Sequence, residues 1–211
     1  MATVLVRALG DLGEALTLAP ERHIAAGMHD AGGVLLSTLV VERIERVRPD
    51  ELARAVVLDT THAKDGVLDV RAAERATNPA TSAKKRVMPG DLLVSRLRPY
   101  LRQIALAHAG AMAACGDKML ACSTEFYVLA PVEPGVSLAY LLPVLLADPA
   151  QAVLAAGQEG GHHPRVPRET VLSLRVLKAT VRGRRAANAH VEAALTALYA
   201  ASAAYAQMLT A

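Results

Sequence analysis

The sequence is poor in the residues that build aromatic cores and disulfide frameworks. Its 211 residues contain no Trp, one Phe, five Tyr and two Cys. So few aromatic side chains leave little material for stacking on unpaired bases, which disfavours single-stranded nucleic acid as a ligand. The two cysteines, Cys115 and Cys122, are too few for a disulfide scaffold and are typical of a reducing compartment.

Long apolar runs and targeting signals are also missing. No run reaches the roughly 18 apolar residues of a membrane span, and the N-terminus lacks a basic region followed by an apolar segment. Hydrophobic residues make up 53% and charged residues 20%, a balance typical of a globular chain long enough for one domain. We therefore expect a cytoplasmic protein with no membrane contact.

The positive charge is concentrated in two segments, although the net charge is only +3. Residues 84–102 read KKRVMPGDLLVSRLRPYLR and carry a single acid, Asp91. Residues 162–185 combine two His and seven Lys or Arg with one Glu, and follow a glycine pair where backbone could approach a phosphate. Charges around a strand usually form a solvated face, but two basic segments on one small domain favour duplex nucleic acid.

Apolar patterns predict an α+β domain followed by one long helix. Helical composition covers residues 137–146, 150–156 and a short piece within 166–172. From about Arg184 to Leu209, apolar residues recur at steps of four and three, the heptad spacing of a coiled-coil helix. Turn signals and β-branched runs predict strands at residues 34–41, 55–59, 67–70, 92–95, 103–109, 124–130 and 174–178. A hairpin turn at 64–66 joins the second of these strands to the third.

Catalytic motifs are incomplete or absent in the sequence. Residues 78–81, Asn-Pro-Ala-Thr, are similar to the base-gripping loop of amino-methyltransferases but lack its second proline and its aromatic residue. Phosphate-binding loops, nucleophile elbows and zinc-protease helices are missing. The spacing of Cys115, Cys122, His162 and His163 matches no metal module, so core thiols and loop histidines are the simpler interpretation. We predict no catalytic residue, metal or cofactor, and keep a Cys/His hydrolase using Cys122 as a minor alternative.

A succession of short motifs runs through the second half of the chain. They are PGDLLVSRLRPYLR at 89–102, STEFYVLAP at 123–131, YLL at 140–142, and Gly160-Gly161 ahead of Arg165-Val166-Pro167. In this order and spacing they resemble the target-recognition domain of type I restriction–modification specificity subunits. The resemblance spans about residues 10–178 and is strongest from residue 89 onward.

Full-length members of that family carry two recognition domains, each followed by a long helix. The two helices pack as an antiparallel coiled coil that spaces the DNA half-sites and docks methyltransferase subunits. This chain resembles a half-subunit, with residues 1–182 as the recognition domain and residues 183–211 as the dimerisation and spacer helix. It departs from the family at the junction, where residues 174–185 lack the usual Leu-Pro-Pro-Leu segment and Glu-Gln pair, which weakens the expectation of a standard methyltransferase partner.

The resemblance implies sequence-specific recognition of double-stranded DNA without catalysis, within a restriction–modification or related phage-defence system. Arg96, Arg98 and Arg102 are the first candidates for reading bases, because the planar guanidinium group matches guanine bidentately. The alternative is a non-catalytic scaffold with little DNA affinity. The complete set of candidate DNA-binding residues is Lys84, Lys85, Arg86, Arg96, Arg98, Arg102, His162, His163 and Arg165.

The helical stripe implies assembly, since apolar side chains in water favour a covering partner. We expect a homodimer with antiparallel helices that selects a palindromic, interrupted site, with Ser202 helping to set register. A helix that folds back on its own domain is the competing interpretation. Replacing Leu195 and Leu198 with Asp is expected to give folded monomers. The candidate dimerisation residues are Val191, Leu195, Leu198, Tyr205 and Leu209.

Overall fold

The computed structural model describes residues 32–76, 82–161 and 163–210. The α+β fold class predicted from the sequence is confirmed. The strands are β1 Val34–Leu35, β2 Val40–Glu42, β3 Ala55–Leu58, β4 Ala63–Lys64, β5 Val67–Leu68, β6 Lys84–Val87, β7 Leu92–Ser95, β8 Ile104–Leu106, β9 Met119–Ser123, β10 Phe126–Pro131 and β11 Arg175–Val176. The α-helices are α1 Pro49–Leu52, α2 Val70–Arg75, α3 Ala109–Ala114, α4 Leu142–Leu146, α5 Asp148–Ala156, α6 Arg168–Leu172, α7 Lys178–Arg182 and α8 Arg184–Thr210.

A four-stranded antiparallel sheet, in the order β2-β10-β7-β8, forms the centre of the domain. Its strand β10 is buried from Phe126 to Ala130, as the crowding of apolar residues at 124–130 predicted. Successive side chains of a strand point to opposite faces. Tyr127 and Leu129 therefore join one core with α4 and α5, whereas Phe126 and Val128 join a second core on the other face.

The second core is closed by a three-stranded sheet in the order β3-β9-β6. Here the prediction is right about the hairpin turn at 64–66 and wrong about its first strand. Strand β3 pairs in parallel with β9, with Ala55 opposite Met119, and the turn at 64–66 joins the two-residue strands β4 and β5. Parallel pairing needs a crossover rather than a tight turn, so no local signal near residues 55–70 could reveal the partner strand.

The first half of α8 packs on the domain. Leu195 is only 6% exposed within the first core, and Val191 and Tyr199 pack against it. The Asn188 side chain accepts a hydrogen bond from the Tyr140 backbone N–H at 2.7 Å and donates one to the Ser137 carbonyl at 3.0 Å. A Cβ atom at Gly110 would lie 2.6 to 2.7 Å from side-chain carbons of Tyr199, so glycine at the start of α3 permits this close approach.

The predicted heptad stripe is therefore divided between two environments. Val191 and Leu195 face the domain, while Leu198, Tyr205 and Leu209 are 45%, 61% and 70% exposed. The expectation that the whole stripe lies open to water was wrong for Val191 and Leu195. A straight helix has 3.6 residues per turn, so a heptad stripe drifts around it, and the packed face follows Asn188, Val191, Leu195 and Tyr199 instead.

Within the described residues, no single helix has the length and apolarity needed to cross a membrane, while one sharply bent pair, Ala139–Leu146 with Asp148–Ala156, passes on length and composition alone.

Candidate nucleic-acid interface

Two of the predicted arginines, Arg96 and Arg165, meet at the end of strand β7. Arg96 follows β7, and Arg165 lies in the loop between α5 and α6. The Val166 N–H donates to the Arg96 carbonyl at 2.8 Å, and Leu97 forms a β-bridge with Arg165. Folding therefore brings the two basic segments, which are distant in sequence, together at one end of strand β7 in the central sheet.

Arg96 and Arg165 share one carboxylate, that of Glu125. Arg165 binds it bidentately, with Nη2 at 2.8 Å from Oε1 and Nε at 3.0 Å from Oε2, and Arg96 Nε lies 3.7 Å from Oε2. Hydrogen bonding from Arg165, with the charges of Arg165 and Arg96, holds the pKa of Glu125 below its ordinary value. Glu125 stays ionised and fixes the Arg165 guanidinium group through two charge-assisted hydrogen bonds, whereas Arg96, whose Nε makes no hydrogen bond, is attracted to it by charge alone.

A second carboxylate, Glu42, continues the same cluster. Lys85 Nζ binds Glu42 Oε1 at 3.0 Å, and Arg168 Nε binds Oε2 at 2.7 Å. Between the two carboxylates lies the Tyr127 ring, with Lys85 Nζ and the Arg96 guanidinium carbon each 5.7 Å from its centroid. We call this set the basic cluster: Lys85, Arg96, Arg165 and Arg168 with Glu42, Glu125 and Tyr127.

The three arginines of the basic cluster face water more than its carboxylates do, whereas Lys85 is only 14% exposed. The side chains of Arg96, Arg165 and Arg168 are 34%, 39% and 49% exposed, against 10% for Glu42 and 26% for Glu125. Four cations on two carboxylates leave two positive charges in excess. The cluster thus presents oriented guanidinium groups outward, an arrangement suited to anionic oxygens or to guanine edges.

Residues 84–102 do not form one basic loop, because their first four residues make strand β6. Lys84 is buried and donates to Ser82 Oγ at 2.7 Å. Arg86 pairs with Glu45 and Glu51 at 2.7 and 2.9 Å. These two predicted DNA-binding residues are held by contacts within the protein.

Arg98 and Arg102 flank a single 3-10 turn, Pro99–Leu101, and have different surroundings. Arg102 donates to the Leu146 carbonyl at 2.7 Å and pairs with Asp148, which ties the turn to the α4–α5 junction. Arg98 is exposed, and its guanidinium group pairs with no carboxylate in residues 32–76, 82–161 or 163–210. Of the predicted base-reading arginines, Arg98 is therefore the most available to a ligand.

The glycine-rich loop closes on itself beside the basic cluster. Glu159 and Arg165 exchange two backbone hydrogen bonds of 2.8 Å, and Gly160 turns the chain with a φ of +99°. His163 is exposed, and its carbonyl accepts from Arg165 Nη1 at 3.2 Å. His162 lies outside the described residues, as do residues 78–81 with the methyltransferase-like motif.

The cysteines lie in the core, as predicted. Both thiols are buried, and burial raises the pKa of the Cys122 thiol from its ordinary 9.0 to about 12. A nucleophilic cysteine needs a lowered pKa and access to substrate, so this environment argues against the Cys/His hydrolase. No three His, Cys, Asp or Glu side chains gather as a metal site would require among the residues that the structure describes.

This burial predicts that the folded protein resists thiol reagents. At pH 9, where an ordinary thiol is half ionised, the raised pKa keeps Cys122 protonated in the folded state. We expect a disulfide reagent added at pH 9 to release no chromophore from Cys122 over minutes, and to react fully once urea is added. Fast reaction of Cys122 without urea would contradict its placement in the core.

Sequence reasoning missed the carboxylates of the basic cluster. Glu125 lies 40 residues before Arg165, and Glu42 lies 126 residues before Arg168. Isolated glutamates at these separations give no local signal. Tyr127 belonged to a quoted motif, but only the packing of β10 shows that its ring lies under Arg96 and that its hydroxyl donates to the Val166 carbonyl at 2.8 Å.

Comparisons with known proteins identify the fold. Neither models of protein families nor curated proteins match the sequence. Among solved structures, the chain is similar to one from work on complex assembly and conformational transition of the type I R-M system, with a TM-score of 0.54 and 21% identity over 85% of this chain. It is also similar to the HsdS subunit from Thermoanaerobacter tengcongensis, with a TM-score of 0.49 and 19% identity over 85% of this chain.

The first of these similarities confirms, at the level of fold, the resemblance read from the motifs. It covers 46% of the matched chain, so this chain spans about half the length of that structure. At this identity the likeness shows the shared fold alone.

Proposed function

We propose that this chain is a non-catalytic module that recognises duplex DNA by sequence, as one half of a type I specificity subunit would. The observation that carries the proposal is the basic cluster, in which partly exposed guanidinium groups lie over less exposed carboxylates. Oriented arginines lose little freedom on binding, and they match phosphates and guanine edges. The fold shared with a type I R-M chain supports the same function.

The roles within the interface follow from the ion pairs. Arg96 and Arg165 are held in place by Glu125, so they suit contacts that set the register on the sugar–phosphate backbone. Arg98 has no carboxylate partner among the described residues and suits direct reading of a base. Lys84, Arg86 and Arg102 act within the protein, by supporting strand β6 and the turn after β7.

Binding to random-sequence duplex at two salt concentrations tests this function. A DNA-binding module is expected to bind in the micromolar range or somewhat weaker, and to lose affinity steeply as salt rises, because bound phosphates release counterions. The purified chain is also expected to neither methylate nor cleave DNA when S-adenosylmethionine, ATP and magnesium are supplied. Turnover by a clean preparation would contradict the proposal.

A scaffold is the second candidate function, and the internal ion pairs favour it. Lys85, Arg86, Arg102, Arg165 and Arg168 all pair with carboxylates of this chain. A scaffold whose positive charges are satisfied internally should show neither affinity for duplex DNA nor a salt dependence. The binding experiment above therefore separates the two functions.

The exposed part of α8 is the surface through which we propose that two copies of the chain assemble. Leu198, Tyr205, Met208 and Leu209 are exposed; Leu198 lies next to the packed Tyr199, and the other three lie beyond it on α8. Beside them a groove of about 680 Å³ runs between α8, α3 and the start of α2. We infer that a second copy covers this surface, which would present two recognition domains to a palindromic, interrupted site. A methyltransferase subunit is the further partner we propose.

A single substitution tests this assembly without disturbing the core. Leu198→Asp places a charge on a side chain that is 45% exposed, so the protein should stay folded while the apolar contact between copies is lost. We expect the wild type to sediment as a dimer at micromolar concentration and the variant to sediment as a monomer. A wild type that is already monomeric would contradict self-assembly and shift the inference to a partner of different sequence.

A further inference from the structure

Of the five tyrosines, Tyr100 and Tyr205 are exposed; Tyr205 lies on the far part of α8, whereas Tyr100 lies in the turn after strand β7. Tyr127 and Tyr140 are buried, and the Tyr199 ring stacks on His108 while its hydroxyl accepts from the Leu68 N–H at 2.9 Å. Tyr100 is 71% exposed, and its neighbour Leu101 is 37% exposed. An aromatic and an aliphatic side chain thus project side by side at the tip of a turn, without use in the core.

The turn that carries Tyr100 is strained and firmly anchored. Arg98 and Arg102, on either side of it, have φ angles of +44° and +49°, a left-handed conformation that is strained for a non-glycine residue. Pro99 is buried, and Arg102 is held by the Leu146 carbonyl and by Asp148. The domain therefore holds the tip in one shape before any ligand binds.

The charges around the tip indicate which ligand it meets. Arg98 is exposed beside it, and the turn begins three residues after Arg96, whose neighbour Leu97 is bridged to Arg165. Arg102 is paired with the exposed Asp148, so Arg98 is the cation beside the tip that no carboxylate of the described residues neutralises. An apolar tip beside such a cation complements a polyanion with stacked apolar rings more than it complements an apolar protein surface. Duplex DNA combines a phosphate backbone with base faces that become available where a step is opened.

Building on the proposed DNA binding, we propose that the turn Pro99–Leu101 is a wedge that opens a base step of duplex DNA. Tyr100 stacks on an exposed base and Leu101 fills the gap beside it, while Arg98 reaches an edge in the same groove. Opening a step costs a few kcal/mol, and it is offset by base–aromatic stacking and by closer contact with the bent duplex. Part of the sequence preference then comes from how easily a step opens, in addition to hydrogen bonds with base edges.

The test compares two duplexes that differ only in whether a step is already open. One is an intact random-sequence duplex, and the other carries a single-nucleotide bulge at its centre. Because the cost of opening is already met in the bulged duplex, the wild-type chain should bind it roughly tenfold more tightly. Tyr100→Ala should reduce this ratio to about one, and Tyr100→Phe should keep it, because the ring and not the hydroxyl stacks. Val132→Ala changes an exposed apolar side chain that follows the end of β10 opposite to the end paired with Ser95. It is the control and should keep the wild-type ratio.

The outcomes separate the wedge from DNA binding itself. Equal affinity of the wild type for both duplexes, or a bulge preference that survives Tyr100→Ala, overturns the wedge and leaves the proposed function standing. No binding of the wild type to either duplex overturns both. Loss of the preference in Tyr100→Ala and its retention in Tyr100→Phe and Val132→Ala support the wedge.

Discussion

Replacing Leu195 with Asp is expected to destabilise the folded chain by about 3 to 5 kcal/mol, because it places an unpaired carboxylate in a packed core. Leu195 is 6% exposed and lies among residues of the central sheet and the helices that cover it. A loss of this size is a large fraction of the stability of an ordinary domain. The urea midpoint, followed by circular dichroism, measures it.

Leu198→Asp is the matched control for this measurement. The two leucines lie three residues apart on the same helix, but Leu198 is 45% exposed. At a concentration where the chain is monomeric, Leu198→Asp should therefore change the free energy of unfolding, obtained from the urea curve, by no more than about 0.5 kcal/mol. Equal stability of the two variants would mean that α8 stands free of the domain. We therefore expect a folded monomer from Leu198→Asp alone, and no longer from Leu195→Asp.

Replacing Arg98 with Ala is expected to weaken binding to the preferred DNA site by about 1 to 3 kcal/mol, with a smaller effect on random DNA. Arg98 is exposed and its guanidinium group has no carboxylate partner in the described parts of the chain, so it can give its full hydrogen-bonding capacity to a base edge. Titration of labelled duplexes in a fixed salt concentration measures both affinities. Equal loss on both DNAs would reassign Arg98 to a phosphate contact.

Arg165→Ala should also weaken binding, by a different route. It removes the bidentate partner of Glu125 and leaves that carboxylate with Arg96 alone, at 3.7 Å. The uncovered negative charge then repels phosphates, so adding Glu125→Gln should restore part of the lost affinity. Arg102→Ala is the control: because its side chain is bound to Leu146 and Asp148, it should lower thermal stability more than it lowers DNA affinity.

Local patterns predicted those parts of the fold that depend on local chemistry. The strands predicted at 92–95 and 124–130 are found at Leu92–Ser95 and Phe126–Pro131, and the helix predicted from about residue 184 begins at Arg184. These segments carry strong composition or periodicity. Strand β6 begins with two lysines and an arginine, and β9 follows a short alanine-rich helix, so neither gave a strand signal. The parallel pairing of β3 with β9 joins segments more than 60 residues apart, and no local propensity encodes such a choice.

In the candidate site, too, some features follow from local sequence and others only from the folded structure. Arginines in basic segments are visible in a sequence, and Arg96, Arg98 and Arg165 were predicted on that ground. Which of them are paired within the protein depends on glutamates brought in by folding, such as Glu125 beneath Arg96 and Arg165. Sequence therefore supplied the candidates, and packing determines which of their guanidinium groups are paired with carboxylates of the protein.

Selection from a library of random duplexes tests the central claim most directly. Immobilised wild-type chain is mixed with the library at low salt, bound duplexes are recovered over several rounds, and the enriched sequences are compared with those obtained using Arg98→Ala. We predict enrichment of one motif, which is palindromic and interrupted because the chain is proposed to bind as a dimer. The affinity of the chain for duplexes with this motif should exceed its affinity for random duplexes and should fall as salt rises. Recovered sequences no different from the starting library would contradict this prediction.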